Sequence, residues 1–189
     1  MQDIFSKTYS LISTLIILVV TLFVPLMYSG KIQIQNTNSI SGSKLESPYF
    51  SWPIPGHTFI SSYYGKRKSP TKGASSFHSG LDIPAPEGTP LYAIEDGEIT
   101  FCSWGLGGGY TIVIKLSKYP NMTISYCHVS PNIPVKLHEV VKCNSLIGYV
   151  GPKNVYGIRN NPYKDSNGLP TNGATTGAHL HFCIKKDRP

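Results

Sequence analysis

The chain has 189 residues, of which 14% are charged, with 18 glycines, 15 prolines and a formal net charge of +7. That length accommodates one globular domain plus a short extra segment, and low charge with abundant Gly and Pro argues against a helical bundle and for a turn-rich all-β architecture. The positive balance favours an acidic partner, but the basic clusters Lys66-Arg67-Lys68 and Lys185-Lys186 are short and carry no interleaved aromatic residues, so no nucleic-acid partner is expected.

Residues 8–30 contain no formal charge, and residues 11–20 are almost wholly apolar. A helix of about 20 such residues covers the roughly 30 Å hydrocarbon core of a bilayer. Residues 1–30 are therefore expected to form an N-terminal transmembrane helix that anchors the chain in the cytoplasmic membrane. Tyr28-Ser29-Gly30 is a poor signal-cleavage site, which favours an uncleaved anchor over a signal segment whose removal would leave a secreted protein. Residues 31–48 are polar and aperiodic and read as a linker. From residue 49 to 189 the texture changes to short apolar runs punctuated by Gly, Pro and Asn. Residues 99–102, 110–115, 122–127, 146–150 and 179–184 read as strands, and no helical stripe is sustained past residue 50. The glycine-rich run 105–109 lacks the final glycine and following helix of a phosphate loop, and reads as a flexible hairpin turn.

The four cysteines, Cys102, Cys127, Cys143 and Cys183, form no CxxC pair, which argues against a structural zinc knuckle. Three disulfide pairings of all four and buried free thiols are both compatible with their spacing. Cys127 next to His128 suggests a cysteine-peptidase dyad, but neighbours in a strand point to opposite faces.

The histidines carry most of the chemistry. His179-Leu180-His181 lies in a strand-like run, so both imidazoles face one side, about 6.5 Å apart along the chain. In His78-Ser79-Gly80-Leu81-Asp82, a straight strand would separate the outer residues by about 13 Å, too far to share a metal. Gly80 together with Pro84 and Pro86 argues against a helix, so a bend at Gly80 is expected to swing His78 back over Asp82. Tyr126-Cys127-His128 supplies a further histidine at a strand end. Together these pieces suggest a site of two histidines and one aspartate: His78, Asp82 and one member of the HxH pair. Three protein ligands leave a position open, which is the catalytic rather than the structural arrangement. The other HxH histidine and His128 are then available for proton transfer and oxyanion stabilisation. His57 and His138 have no partner motif and are expected to lie outside any site.

From about residue 54 to its end the chain resembles the lysostaphin and LytM-type peptidoglycan zinc metalloendopeptidases. Phe77-His78-Ser79-Gly80-Leu81-Asp82-Ile83 resembles the family's HxGxD segment, Gly88 to Ala93 followed by Asp96-Gly97 its next strand and turn, Tyr126-Cys127-His128-Val129 its YxHL strand, and residues 176–182 its TGxHLHF ending. The resemblance implies an antiparallel β-sheet core of the duplicated-hybrid-motif type, with a metal groove along one face. It implies Zn2+ held by His78, Asp82 and His181, with His128 and His179 as catalytic histidines. It also implies cleavage of cross-linking or stem peptides of peptidoglycan by a domain outside the membrane. A catalytically silent wall-binding or regulatory module of the same fold is the alternative, although none of the five positions is missing. The stretch between Gly151 and His179 is longer than the common family version and is expected to border the groove. The chain also stops soon after the HxH strand, where many relatives continue briefly. No tyrosine is matched to an oxyanion role.

Overall fold

The computed structural model describes residues 50–186, so the predicted membrane anchor and linker lie outside the described residues. Alternation of apolar and polar side chains builds the main sheet, because successive residues of a strand face opposite sides. Its strands are β3 (Leu81–Pro84), β5 (Gly97–Trp104), β6 (Tyr110–Leu116), β7 (Met122–Cys127), β8 (Val140–Val141) and β10 (His179–Lys186). They pair in the order β3-β10-β7-β6-β5-β8, every pairing antiparallel. One face presents Ile99, Ile112, Ile114, Ile124, Tyr126 and Leu180, all fully buried. A two-stranded ribbon of β4 (Pro90–Tyr92) and β9 (Leu146–Tyr149) contributes the equally buried Leu91 and Ile147 to the same core. Tyr126 brings a hydroxyl into this apolar layer; it donates to the Tyr92 carbonyl at 3.1 Å and accepts from the Ile94 amide at 3.2 Å, so its polar end is satisfied. A second ribbon pairs β1 (Gly65–Lys66) with β2 (Phe77–His78).

The five strands expected from sequence all form, with the first extended to residues 97–104 and the fourth ending at Tyr149. Val150 instead makes an isolated bridge to Val129. The expected absence of a helical stripe agrees with the described residues, whose single helical element is the 3-10 turn Leu106–Gly108. That turn closes the β5–β6 hairpin, but its backbone is tied down rather than loose. Gly108 accepts from the His128 amide at 2.7 Å and Gly107 from the Ala174 amide at 2.9 Å. A side chain at Gly109, whose φ is +63°, would lie 2.3 Å from the Asn172 carbonyl oxygen, so only glycine fits this approach. All four cysteines are free thiols.

Candidate metal centre

The outer face of the sheet carries the site. β10 runs antiparallel to β3 with His181 directly opposite Asp82, and β2 delivers His78 from the far side of a bend at Ser79-Gly80. The bend forms as the sequence suggested, for a more specific reason. A Cβ at Gly80 would lie 2.3 Å from the Phe182 carbonyl oxygen, so the corner can press against β10 only without a side chain. That contact brings the two halves of the site together.

Three ligand-type atoms converge as a near-equilateral triangle. His78 Nε2 lies 3.0 Å from Asp82 Oδ1 and 2.9 Å from His181 Nδ1, and the latter lies 2.9 Å from Asp82 Oδ1. His78 Nδ1 is 2.9 Å from the Tyr63 carbonyl oxygen and therefore donates its proton there, leaving Nε2 with a lone pair. Burial lowers the His78 pKa and reinforces the neutral form. Asp82 gives its other oxygen, Oδ2, to Arg67 Nη1 at 2.8 Å. Burial alone would raise the Asp82 pKa, but hydrogen bonds from His179, His181 and Arg67 outweigh it and hold the carboxyl well below the usual range. A lone pair on His78 thus faces an ionised carboxylate oxygen, an arrangement that a cation between them would satisfy.

The donor set fits a metal ion. Two imidazole nitrogens and a carboxylate oxygen match the ligand chemistry of zinc, and ligands around a tetrahedral zinc stand about 3.3 Å apart. The observed edges need to widen by only a few tenths of an ångström. Among the described residues, His78, Asp82 and His181 form the group able to hold a metal.

The two remaining predicted site residues stand beside this triangle. His128 follows the last residue of β7 and turns the chain through a left-handed conformation, φ 59°, at a cost of about 1 kcal/mol. Its amide donates to Gly108 and its carbonyl accepts from Gly151, and these bonds hold the turn. Because His128 has left the strand, strict alternation does not describe its relation to Cys127. What disfavours a dyad is instead burial of the Cys127 thiol, which pushes its pKa up to about 11 and keeps it protonated. His128 Nδ1 donates to the Asn172 carbonyl at 2.7 Å, so the lone pair of its neutral ring sits on Nε2. Burial pushes the His128 pKa down to about 3. His179 donates Nδ1 to the Gly177 carbonyl at 2.9 Å and places Nε2 3.4 Å from Asp82 Oδ1. The rings of His128 and His179 lie 4.8 Å apart.

A cavity of about 420 Å³ opens on one side of the triangle, walled by residues 73–75 and by Gly105, Gly107 and Gly108, with Ser125 and Cys127 among its lining. A smaller cleft of about 160 Å³ continues past Asp82 and His179. The segment 152–175 borders this groove, as its length suggested. Tyr163 packs against both Gly73 and Gly107, one glycine from each wall. His138 lies away from the site, bonded to Glu98 at 2.7 Å, and His57 is not among the clustered ligands.

Sequence reasoning missed two residues. Arg67 looked like part of a surface basic run. Asn172 is fully buried; its side chain accepts from the Tyr110 amide at 2.8 Å and donates to the Val129 carbonyl at 3.0 Å, while its own carbonyl orients His128. The nearest available signal was the Asn172-Gly173 dipeptide, which reads simply as a turn.

The model of peptidase family M23 matches residues 76–189. The chain is 31% identical over 126 residues to the DD-carboxypeptidase/endopeptidase Mpg of Neisseria meningitidis serogroup B, covering 67% of this chain and 24% of that protein. It thus spans about a quarter of the length of the curated relatives it matches. Among solved structures, it is similar to the catalytic domain of lysostaphin from Staphylococcus simulans, with a TM-score of 0.54 and 26% identity, covering 69% of this chain and 82% of that one. It is also similar to a zinc-containing peptidase from Vibrio cholerae, with a TM-score of 0.55 and 27% identity over 72% of this chain and 36% of the other.

Proposed function

We propose, from the premise that this chain belongs to peptidase family M23, that it is a zinc-dependent endopeptidase hydrolysing peptide bonds in the cross-links or stem peptides of peptidoglycan. The observation that carries the reading is the convergence of His78 Nε2, Asp82 Oδ1 and His181 Nδ1 to within 2.9–3.0 Å, with the rings of His128 and His179 beside them. His78, Asp82 and His181 would hold the zinc, which when bound would supply Lewis-acid polarisation of a scissile carbonyl and lower the pKa of water toward neutrality.

The chain's own residues supply positioning and proton transfer. Tyr63 and Arg67 orient His78 and Asp82, so the ligands are set before substrate arrives. His128 commits Nδ1–H to the Asn172 carbonyl and keeps Nε2 as an acceptor, while His179 is oriented by the Gly177 carbonyl with Nε2 directed toward Asp82. His128 Nε2 is placed to take a proton from water and return it to the departing amine. His179, the more exposed of the two, is placed to steady negative charge developing on the carbonyl oxygen. The groove on either side of the triangle receives an extended peptide. The apolar segment within residues 1–30 anchors the domain to the outer face of the cytoplasmic membrane, where peptidoglycan is accessible.

Incubating the full chain, zinc-loaded, with purified peptidoglycan and analysing the soluble fraction by mass spectrometry tests this. Release of peptides cut at an internal amide, abolished by chelation, is expected. A zinc-loaded chain that releases nothing from any wall preparation would replace this reading with that of a regulatory module.

A further inference from the structure

We infer that the groove beyond the metal triangle ends in a carboxylate-binding subsite centred on Lys185, so that the preferred substrate is a peptide bearing a free carboxylate a few residues from the scissile bond. This rests on the peptidase reading above and narrows its substrate.

The placement follows from strand alternation. On β10, His179, His181, Cys183 and Lys185 share the outer face, and Lys185 stands about 13 Å along the strand from His181 at roughly 3.3 Å per residue. Register fixes what lies beside them: Cys127 opposite His181, Ser125 opposite Cys183, and Thr123 opposite Lys185. The strip from the metal triangle to Lys185 is therefore uncharged, short-chained and polar, and Ser125, Cys127, His181 and Lys185 line one cavity. Thr123 is flanked on its other side by Lys115 of β6, two strands and about 9.6 Å from Lys185. Two lysines thus share the outer face at the end of the strip.

Charge accounting separates these lysines from the rest of the site. Arg67, the other cation lining the cavity, is committed to Asp82 at 2.8 Å. The described ion pairs include neither Lys185 nor Lys115. Glu98, opposite Lys115 on β5, is held by His138 at 2.7 Å. A bridge made only of glycine would offer these ammonium groups nothing, whereas a stem peptide with a free carboxylate would complete the row. With a lysine reach of about 6 Å, an extended substrate would place that carboxylate roughly two to four residues from the scissile bond.

The test compares synthetic peptides that differ only in whether one carboxylate, placed two, three or four residues from the scissile bond, is free or amidated. For the full-length wild type, kcat/KM is expected to be three- to tenfold higher for at least one acid than for its amide, chiefly through KM. In Lys185→Met the acid-to-amide ratio should collapse to near one, and Lys185→Arg should retain most of it, which separates charge from packing. Wild-type cleavage of acid and amide at equal efficiency at every position, or a Lys185→Met ratio equal to wild type, would overturn the subsite and leave the peptidase reading standing. Failure to cut any peptide or intact peptidoglycan would overturn both.

Discussion

Replacing Gly80 by Ala adds one methyl group at the corner that brings His78 and Asp82 against His181. The new carbon would begin 2.3 Å from the Phe182 carbonyl oxygen, 2.9 Å from its carbonyl carbon and 3.2 Å from the Cys183 Cα. All three neighbours are backbone in a six-stranded sheet, so no side chain can turn aside. Normal van der Waals separation requires the β2–β3 corner to retreat from β10 by about 1 Å. Gly80 sits between two ligands and Phe182 is next to the third, so the retreat is transmitted to the triangle. The two 2.9 Å edges to His181 would open to nearly 4 Å, beyond the roughly 3.3 Å of a tetrahedral site and well outside the ±0.2 Å that metal–ligand distances tolerate. The fold should lose about 1–3 kcal/mol, the usual cost of overpacking. Zinc affinity should fall by about 10² or more, the upper end of what displaced supporting groups cost. Competition against a chromophoric chelator measures affinity, and thermal unfolding of the metal-free protein measures the structural cost. A Gly80→Ala chain that binds zinc within twofold of wild type would show that the Gly80 contact does not set the ligand geometry.

Asn172→Ala should destabilise the protein by roughly 2–6 kcal/mol in urea unfolding, because the Tyr110 amide and Val129 carbonyl each lose a buried partner worth about 1–3 kcal/mol. His128→Ala should keep zinc, since His128 is outside the ligand triangle, yet slow peptide release by about 10² to 10⁴. Acid should weaken the metal-free fold. His128 has a folded pKa of about 3, below its unfolded value of about 6.5, so between these pH values the unfolded chain binds the extra proton and stability falls as pH falls. Its contribution is fully present above pH ~6.5 and declines by at most about 1.4 kcal/mol per pH unit down to pH ~3. Chelator-treated wild type should show this slope in pH-resolved unfolding, and His128→Gln should flatten it.

What sequence revealed was what local pattern encodes. Strands β5, β6, β7, β9 and β10 alternate over several residues, and each was recognisable. β3 was not, because its four residues place an aspartate among apolar neighbours and end in proline, and β1, β2 and β8 are only two residues long. The HxxxD and HxH motifs identified the ligand types. Residue spacing alone left open which member of the HxH pair meets Asp82, since both face the same side; register decides it by setting His181, not His179, opposite Asp82. Arg67 and Asn172 stayed hidden for a related reason. Their partners are Asp82, Tyr110, Val129 and His128, distant in sequence and in part backbone atoms. The role of Gly80 was half legible. A bend was foreseeable, but the carbonyl it must clear belongs to a strand about a hundred residues away.

We propose that His78, Asp82 and His181 hold one hydrolytic metal ion. Zinc content per chain, measured by plasma mass spectrometry on wild type and on Asp82→Ala after identical dialysis, tests it most directly. Close to one zinc is expected in wild type and close to none in the variant, with both still folded by circular dichroism. Equal zinc in the two proteins, or none in wild type after loading, would contradict it.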